Sequence, residues 1–391
     1  MSNAAGPPPP ALVYLDHAAT TPMRPEAVAA MLPFLAERYA NPSGSHRFAR
    51  DARRALDEAR DQVAEVIGCH PGEVVFTGGG TESDNTAIAG TVRARGGRAV
   101  CPAAEHHGVL HVVEHTGGTV VPVDDVGRVR LDALEAALGD DVSVVSVMTV
   151  NNEVGTIHDL AAVSSVVRRA APGAVVHTDA VQAPCSVDLR EVWPHVDLMA
   201  LSGHKFGGPK GVGVLAVRDG TRFEPLVMGG GQERERRSGT QNVAGIVALA
   251  AALVATDAER DGEVTRLSAL RDRLVATVVG AVPDSRETVP SADKIAGSAH
   301  LMFRGVENES LLYLLDQAGV CASAASACAS GAMDPSHVLA AMGVERSWAA
   351  GSLRLSLGRT TTAVEVDAAA AAVVDAVTTL RTRRRSTAAV S

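Results

Sequence analysis

Short apolar runs recur along the first two thirds of the chain, and segments with apolar residues at helical spacing lie between most of them. The predicted strands cover residues 74–76, 99–101, 119–123, 142–148, 175–177, 196–201 and 212–217, and predicted helices include 86–95, 131–138 and 161–170. This alternation is typical of an α/β protein with a largely parallel sheet. Such sheets bind ligands beyond the carboxyl ends of their strands, so polar residues that follow the strands are candidate functional residues.

The pattern changes near residue 257. Further on, we predict a helix at 264–279, strands at 300–303 and 352–356, a run of small residues at 321–331 and an alanine-rich helix at 364–380. The apolar run 243–255 is too short for a membrane span and is typical of a core helix. The predicted organisation is a disordered proline-rich leader (1–10), a large domain (11–256) whose first residues can pack with the small domain, a smaller C-terminal α/β domain (257–381) and a tail (382–391).

Composition narrows the function classes. The net charge of −9 over 391 residues gives no reason to expect nucleic-acid binding, and we interpret the basic run 381–385 as solvated. The N-terminal residues lack the basic and apolar regions of a signal peptide, and no membrane segment is expected. Five widely spaced cysteines argue against a disulfide framework and a zinc site. We therefore predict a cytoplasmic, reduced enzyme.

Three features follow predicted strands of the large domain. Lys205, in the segment LSGHKFGGPK, follows a buried strand; either it is a solvated loop residue or its amine forms an imine with pyridoxal 5'-phosphate. The glycine run at 77–84 can form a phosphate cradle at a helix start or an ordinary tight turn. Asp179 can hold a protonated pyridine nitrogen or cap a helix.

Histidine, cysteine and arginine residues add further candidates. His106 could stack on an aromatic cofactor and move protons. A rival hypothesis, a metal site on the helix face shared by His107, His111 and His115, lacks an acidic residue to complete it, and we predict no metal. Cys328 lies among small residues, as expected for a nucleophile in a flexible loop. Arg354, in an apolar strand, requires an anion such as a substrate carboxylate.

These segments together resemble the cysteine desulfurases of the NifS/IscS type, within the class V aminotransferase family of pyridoxal phosphate enzymes. The resemblance runs from about Tyr14 to Thr361, and its motifs are YLDHAATTP, NPSGSH, FTGGGTES, EHHGVL, NNEVGTIHDL, HTDAVQ, SGHKFGGPKG, RRSGTQNVAG, SACASGAMDPSHVL and SLRLSLGR. It implies a fold type I transferase: a large domain with a mostly parallel seven-stranded sheet and a smaller C-terminal α/β domain, assembled as a homodimer.

The resemblance also implies roles in catalysis. Lys205 is the expected imine-forming lysine and takes the substrate Cα proton, while His106 stacks on the cofactor ring. Asp179 holds the pyridine nitrogen and Gln182 the phenolic oxygen. Cys328 attacks the substrate sulfur and carries it away as a persulfide.

Further roles concern binding. Asn152 lies beside the cofactor and, with Arg354, holds the substrate carboxylate. The expected phosphate ligands are Gly80, Thr81, Ser202, His204 and, from the partner subunit, Thr240.

The chain departs from the family pattern in three places. The family commonly has SGATES where this chain has GGGTES at 78–83, a change that keeps the N–H donors. At 323–328 the family's SSGSAC is SAASAC, which loses a glycine. The C-terminus lacks the extended tail with which housekeeping members dock an iron–sulfur scaffold, so the acceptor stays open.

We therefore expect a desulfurase that converts L-cysteine to L-alanine and passes sulfur through Cys328 to an acceptor protein. Alternatives in the same superfamily are a selenocysteine lyase and a cysteine-sulfinate-type lyase. A non-catalytic sulfur-relay or scaffold protein is a third hypothesis, which the set of Lys205, Asp179, His106 and Cys328 disfavours. Metal-dependent hydrolysis is a fourth. Iron–sulfur assembly, tRNA thiolation, thio-cofactor synthesis and the supply of sulfur for specialised metabolites all remain open as destinations of the sulfur.

Overall fold

The computed structural model describes residues 12–324 and 336–388, with side chains as far as residue 384. Its strands are β1 (Val13–Tyr14), β2 (Val74–Thr77), β3 (Arg98–Pro102), β4 (Thr119–Val121), β5 (Val142–Ser146), β6 (Val175–Asp179), β7 (Leu198–Ser202), β8 (Gly213–Val217), β9 (Ser285–Glu287), β10 (Ser298–Phe303), β11 (Val320–Cys321) and β12 (Ser352–Ser356). Its α-helices are α1 (Pro25–Ala36), α2 (Arg47–Ile67), α3 (Gly80–Arg95), α4 (His107–His115), α5 (Leu131–Ala136), α6 (Leu160–Ala170), α7 (Leu189–Val192), α8 (Val243–Ala281), α9 (Asn308–Gln317), α10 (His337–Ala341), α11 (Arg346–Ala349) and α12 (Ala363–Ala388).

A seven-stranded sheet, in the order β2-β8-β7-β6-β5-β3-β4, is the centre of the larger unit. Strand β8 is antiparallel to both of its neighbours, and the other pairings are parallel. Strands β2, β5, β6, β7 and β8 are buried along their whole length, which explains why apolar residues follow one another directly in these strands rather than alternating strictly with polar ones. The predicted fold class, a mostly parallel seven-stranded sheet with helices and a smaller α/β part, is confirmed.

Six strands of this sheet end at the same edge. Strands β3, β4, β5, β6 and β7 run in parallel, and β2 shares their direction because β8 is antiparallel to both β2 and β7. The segments that follow these six ends therefore meet at one edge, where open α/β sheets bind ligands.

Two compact units make up the chain. The smaller contains residues up to Ala18, Glu153–Gly155 and residues from Val264 onward; the larger contains Ala19–Asn152 and Thr156–Glu263. In the smaller unit, β9, β10 and β12 form an antiparallel sheet, and β1 pairs with β11 in parallel. Its core is formed by buried aliphatic residues of this sheet, α8, α9 and α12. The domain bounds predicted from the sequence, 11–256 and 257–381, stay a prediction.

Two predicted helices, at 243–255 and 264–279, are one helix of 39 residues, α8. The intervening segment, DAERDGE, resembles a linker because it is polar, but polar residues are equally compatible with a helix face in solvent. The last helix, predicted to end at residue 380, continues to Ala388. None of the helices in the described part of the chain combines the length and apolarity required to cross a bilayer. The predicted leader 1–10 lies outside the described residues.

Candidate active site

Lys205 lies at the carboxyl end of β7, in a single turn of 3-10 helix, Gly203–Lys205. Its side chain is half-buried, and its Nζ donates a hydrogen bond to the carbonyl oxygen of Ala19 at 3.0 Å. The chain then turns through Gly207 at a φ of 87°, where a Cβ atom would lie 2.5 Å from Cγ of Arg24. Glycine is required there because both the left-handed backbone and the close approach exclude a side chain.

Asp179 is the last residue of β6 and is 5% exposed. Its Oδ1 accepts a hydrogen bond from the backbone N–H of Val181 at 2.9 Å, and no helix begins at this point. The alternative of a helix cap is therefore wrong. Burial raises the pKa of this carboxyl, while His106 and Lys205 oppose that shift by favouring the carboxylate.

His106 follows β3 and caps α4. Its Nδ1 accepts a hydrogen bond from the backbone N–H of Gly108 at 3.0 Å, so the neutral ring carries its proton on Nε2. Side-chain atoms of His106, Asp84 and Asp179 lie within 4.8 Å of one another. The ends of β3 and β6 thus bring the two predicted residues, a histidine and a carboxylate, into one cluster.

Two further carboxyl groups, which the sequence analysis did not identify, lie in this cluster. Asp84 of α3 is 1% exposed and Glu105 is fully buried, and burial together with the negative charge of Asp179 raises both pKa values well above their ordinary range. The Oε1 of Glu105 accepts a hydrogen bond from the backbone N–H of Met148 at 2.6 Å. Because His106 and Lys205 favour the charge on Asp179, this carboxyl ionises first of the three, and its charge favours the protonated form of the other two.

His177 supports the cluster from β6. Burial lowers its pKa to about 3, so its ring is neutral. Its Nδ1 is 2.8 Å from Oγ of Ser146, and its Nε2 is 3.6 Å from Oδ1 of Asp84. A signal for these residues existed in the sequence, since Asp84 precedes the apolar positions Ala87 and Ile88 by one turn of α3 and Glu105 lies three residues after β3.

The glycine loop after β2 leads into α3. Gly79, at a φ of 149°, provides no side-chain cap for this 16-residue helix, so N–H groups of its first turn remain for an anion. A Cβ atom at Gly80 would lie 2.8 Å from Cγ2 of Val181 and 3.5 Å from Cβ of Ser202, which is 4% exposed. The loop thus lies against the ends of β6 and β7, as a phosphate cradle requires; Thr81 is exposed.

His204, beside Lys205, is neutral as well. Burial lowers its pKa to about 4, and the nearby positive charges of Lys205 and Lys210 contribute. Its Nδ1 lies 3.1 Å from Oγ1 of Thr20. A neutral imidazole can donate one hydrogen bond to a phosphate without adding charge.

The segment that carries Thr240 is anchored by a buried ion pair. Arg60 of α2 donates two hydrogen bonds to Glu233, both at 2.8 Å, and Phe76 and Gln241 donate to the same carboxylate. These contacts hold Glu233 at a φ of 50°, with the next two residues also at positive φ. Thr240 itself is exposed.

The remaining predicted residues lie in three places. Gln182 and Asn152 follow β6 and β5 in the chain and are half-buried. Arg354, in β12 of the smaller unit, is 6% exposed and donates a hydrogen bond from Nη2 to Oδ1 of Asp16 at 2.7 Å. Cys328 lies outside the described residues.

The four described cysteines have thiols of raised pKa. Burial raises the pKa of Cys69 to about 12 and that of Cys185 to about 11, and it raises the pKa of Cys101 and Cys321 too. Since the thiolate is the nucleophile, none of these four is suited to attack sulfur near neutral pH.

The donor set at the sheet edge fits pyridoxal phosphate. The uncapped start of α3 with Ser202 suits its phosphate, Asp179 its pyridine nitrogen, His106 its ring face and Lys205 its aldehyde. The rival metal hypothesis placed ligands on the α4 face, where the rings of His107 and His111 are 4.8 Å apart. Among the described residues, the group that could hold a metal is instead Asp84, His106 and Asp179, in which a protonated Asp84 is a poor ligand.

Comparisons with known proteins support pyridoxal phosphate as the cofactor. The family model of class-V aminotransferases matches residues 13–369. An IscS-like cysteine desulfurase of Mycobacterium tuberculosis is 45% identical over 97% of this chain and 99% of its own, and a cysteine desulfurase IscS of Dictyoglomus turgidum is 42% identical over 90% of each. The structure of a NifS-like protein, 34% identical, superposes with a TM-score of 0.87 over 93% of this chain and 99% of its own.

These matches confirm the predicted resemblance to the cysteine desulfurases and the predicted cofactor, since enzymes of this family use pyridoxal phosphate. The match of the family model over most of the sequence, together with relatives above 40% identity along nearly the whole chain, places this protein in the class-V aminotransferase family, among its cysteine desulfurases.

Proposed function

We propose that this chain is a pyridoxal phosphate-dependent L-cysteine desulfurase that converts L-cysteine to L-alanine and transfers the sulfur to Cys328. The observation that carries the proposal is the meeting of Lys205, Asp179 and His106 at one edge of the sheet, beside the uncapped start of α3. A non-catalytic scaffold protein would have no need for this combination.

Lys205, Asp179 and His106 have separable tasks in this scheme. Bound pyridoxal phosphate supplies an electron sink for the pair released from the substrate Cα. Asp179, as the carboxylate that ionises first in its cluster, keeps the pyridine nitrogen protonated. Lys205 takes the Cα proton through its amine, and His106 stacks on the ring with its proton on Nε2, from where it can donate.

We assign phosphate binding to the first turn of α3 (Gly80 and Thr81) with Ser202 and His204. Gln182 is assigned to the phenolic oxygen. Arg354 and Asn152 are assigned to the substrate carboxylate; an arginine offers five N–H donors, so Arg354 can keep its bond to Asp16 while it binds a second carboxylate.

Sulfur transfer is assigned to Cys328. Its thiolate attacks Sγ of the substrate; the S–S bond forms, the Cβ–Sγ bond breaks, and the electron pair of that bond stays on carbon, which is later protonated to give alanine. The persulfide sulfur then passes to an acceptor thiol. The raised thiol pKa values of the four described cysteines support this assignment, because none of them provides a ready thiolate.

The assembly and setting of the enzyme are part of the proposal. We infer a homodimer in which Thr240 of one subunit completes the phosphate site of the other, and the exposure of Thr240 is consistent with such a role. A sulfur-acceptor protein is the expected partner, and the absence of a disulfide cysteine pattern supports a reducing, cytoplasmic setting.

The test is the visible absorption spectrum of the purified enzyme before and after addition of L-cysteine with dithiothreitol, with sulfide and alanine assayed together. We expect a yellow protein whose band shifts and which releases both products in equal amounts. Lys205→Ala should abolish the imine band and the activity.

Cys328→Ala should keep the yellow band and lose sulfide release, whereas the matched control Cys321→Ala should keep both. Full sulfide release by Cys328→Ala would exclude the persulfide role. A wild-type protein that stays colourless after addition of pyridoxal phosphate would contradict the cofactor assignment.

A further inference from the structure

A cavity of about 520 Å³ lies in the smaller unit. It is lined by the segment 304–308, residues of and next to α11, and Arg384 of α12. This volume is within the range of small-molecule sites. None of the lining residues has a role in the desulfurase reaction proposed above, so the cavity requires its own explanation.

The charge of the cavity is its most informative feature. Three arginines, Arg304, Arg346 and Arg384, come from three separate segments and line it together with a single acidic residue, Glu307. The chain as a whole has a net charge of −9, so the excess of positive charge in this cavity is opposite in sign to the charge of the whole protein. Arginine pairs with phosphate through two parallel N–H donors, which makes such a cluster suited to a phosphate group.

The start of α9 adds donors to the same cavity. This helix begins at Asn308 and has ten residues, and its cap residue Glu307 makes no side-chain cap bond. The N–H groups of its first turn and the helix dipole therefore favour an anion at this end.

Asn308 provides an independent indication of a ligand. It lines the cavity, is 6% exposed, and its Oδ1 is buried with no hydrogen-bond partner within the described residues. Buried polar atoms are normally paired, so an unpaired amide oxygen at a cavity indicates that something else satisfies it. An amide oxygen accepts hydrogen bonds, which requires a donor on the ligand, such as a hydroxyl group.

Two residues of the basic run near the C-terminus, Arg381 and Arg384, contribute to this site. Nη2 of Arg381 donates a hydrogen bond to the carbonyl oxygen of Arg304 at 2.9 Å, which ties α12 to the segment that lines the cavity. The guanidinium of Arg304 lies 5.9 Å from the ring centroid of Trp348, and that of Arg286 lies 4.6 Å from the same ring. These contacts hold the lining elements together before any ligand binds.

We propose that this cavity binds a small phosphate-bearing molecule that also carries a hydroxyl group, as nucleotides do. The three arginines and the start of α9 bind the phosphate, and Asn308 accepts a hydrogen bond from the hydroxyl group. The site is separate from the residues assigned to desulfurase chemistry and does not depend on that activity.

The test is isothermal titration of the pyridoxal phosphate-loaded enzyme with ADP and with inorganic phosphate. ADP should bind once per chain, more tightly than phosphate, without changing the cofactor absorption band, and added NaCl should weaken its binding. Arg346→Gln should weaken ADP binding about tenfold, the effect of losing one charge-assisted pair. Arg346 is exposed, so this substitution should leave the fold intact.

The matched control is Arg359→Gln, an exposed arginine of the same unit that does not line the cavity. It should bind ADP as the wild type does. The proposal is overturned if ADP does not bind, if both variants weaken binding equally, or if ADP alters the cofactor band, which would place it in the active site. Equal affinity for phosphate and ADP would overturn the role of Asn308.

Discussion

At the scale of single residues, the active-site cluster shows how burial decides protonation. Asp84, Glu105 and Asp179 are all buried, and mutual repulsion prevents them from sharing the site as three carboxylates. The nearby His106 and Lys205 favour the charge on Asp179. Two neutral acids and one carboxylate therefore result, although the three side chains are chemically equivalent.

This assignment predicts opposite outcomes for two isosteric substitutions. Asp179→Asn removes the functional charge and should lower kcat for sulfide release by about a hundredfold or more, on the scale of losing one electrostatic contact to the reacting system. Asp84→Asn replaces a protonated acid with a neutral amide of the same shape, so activity should stay within about tenfold. The measurement is steady-state sulfide and alanine release by both variants, with cofactor content checked by absorbance.

Asp159→Asn at the N-cap of α6 controls for the change of aspartate to asparagine outside the active site. Asparagine caps a helix as well as aspartate does, so this variant should keep wild-type activity. If Asp84→Asn lost as much activity as Asp179→Asn, the charge would not reside on Asp179 alone and the protonation assignment would be wrong.

At the scale of elements, the segment with Cys328 is bordered by two fixed points of the smaller unit. Before it, Ser323 exchanges two backbone hydrogen bonds with Arg354 of β12. After it, Ser336 caps α10 and donates a hydrogen bond from its hydroxyl group to the buried carboxyl group of Glu153. The proposed catalytic cysteine is therefore carried between two anchored ends.

Glu153 makes the second anchor sensitive to pH. Burial raises its pKa from 4.5 to about 7, although the hydrogen bond from Ser336 and the charge of Arg354 oppose the shift. Because the folded pKa lies above the unfolded one, this group's contribution to stability is fully present below about pH 4.5 and is lost as pH rises through about 7.

We therefore predict that, between pH 5 and pH 8, the free energy of unfolding of the wild type falls by about 2–3 kcal/mol relative to that of Glu153→Gln. This figure follows from 1.36 kcal/mol per pKa unit. Glutamine keeps an acceptor for Ser336 and has no proton to lose. The measurement is thermal unfolding of the pyridoxal phosphate-loaded proteins across this range. Glu309→Gln, at an exposed position in α9, should follow the wild type; a pH-independent difference between wild type and Glu153→Gln would contradict the raised pKa.

At the scale of the whole molecule, the proposed homodimer has a consequence that mixing experiments can test. If Thr240 acts on the partner subunit's site, Lys205→Ala in one subunit and Thr240→Val in the other damage the same site of a mixed dimer. One of its two sites then has both an intact Lys205 and an intact Thr240. We predict that co-expression of the two variants restores activity, up to half of the wild-type rate per mixed dimer.

Activity of the isolated mixed dimer, purified with two different tags, is the decisive measurement. A Thr240→Val homodimer should have weakened cofactor binding, and a Lys205→Ala homodimer should be inactive. If the mixed dimer shows no more activity than the average of the two parents, Thr240 acts within its own subunit.

The sequence by itself determined the strands of the large sheet. All seven predicted strands are present, because most of them are buried on both faces and therefore contain apolar residues in direct succession. It also indicated the residues that follow those strands, such as Lys205 and Asp179. Parallel strands all end at the same edge of their sheet, so residues that follow them lie at that edge. The motif resemblance supplied the chemistry of these residues.

Tertiary structure decided what depends on neighbours distant in the chain. The continuity of α8 through a polar segment, the crowding of Asp84 and Glu105 against Asp179, and the neutral state of His177 depend on burial, which local sequence does not encode. The arginines of the small-unit cavity are 42 and 38 residues apart along the chain, from Arg304 to Arg346 and from Arg346 to Arg384. Only packing of α9, α11 and α12 brings them to one site, because no local periodicity links residues at such separations.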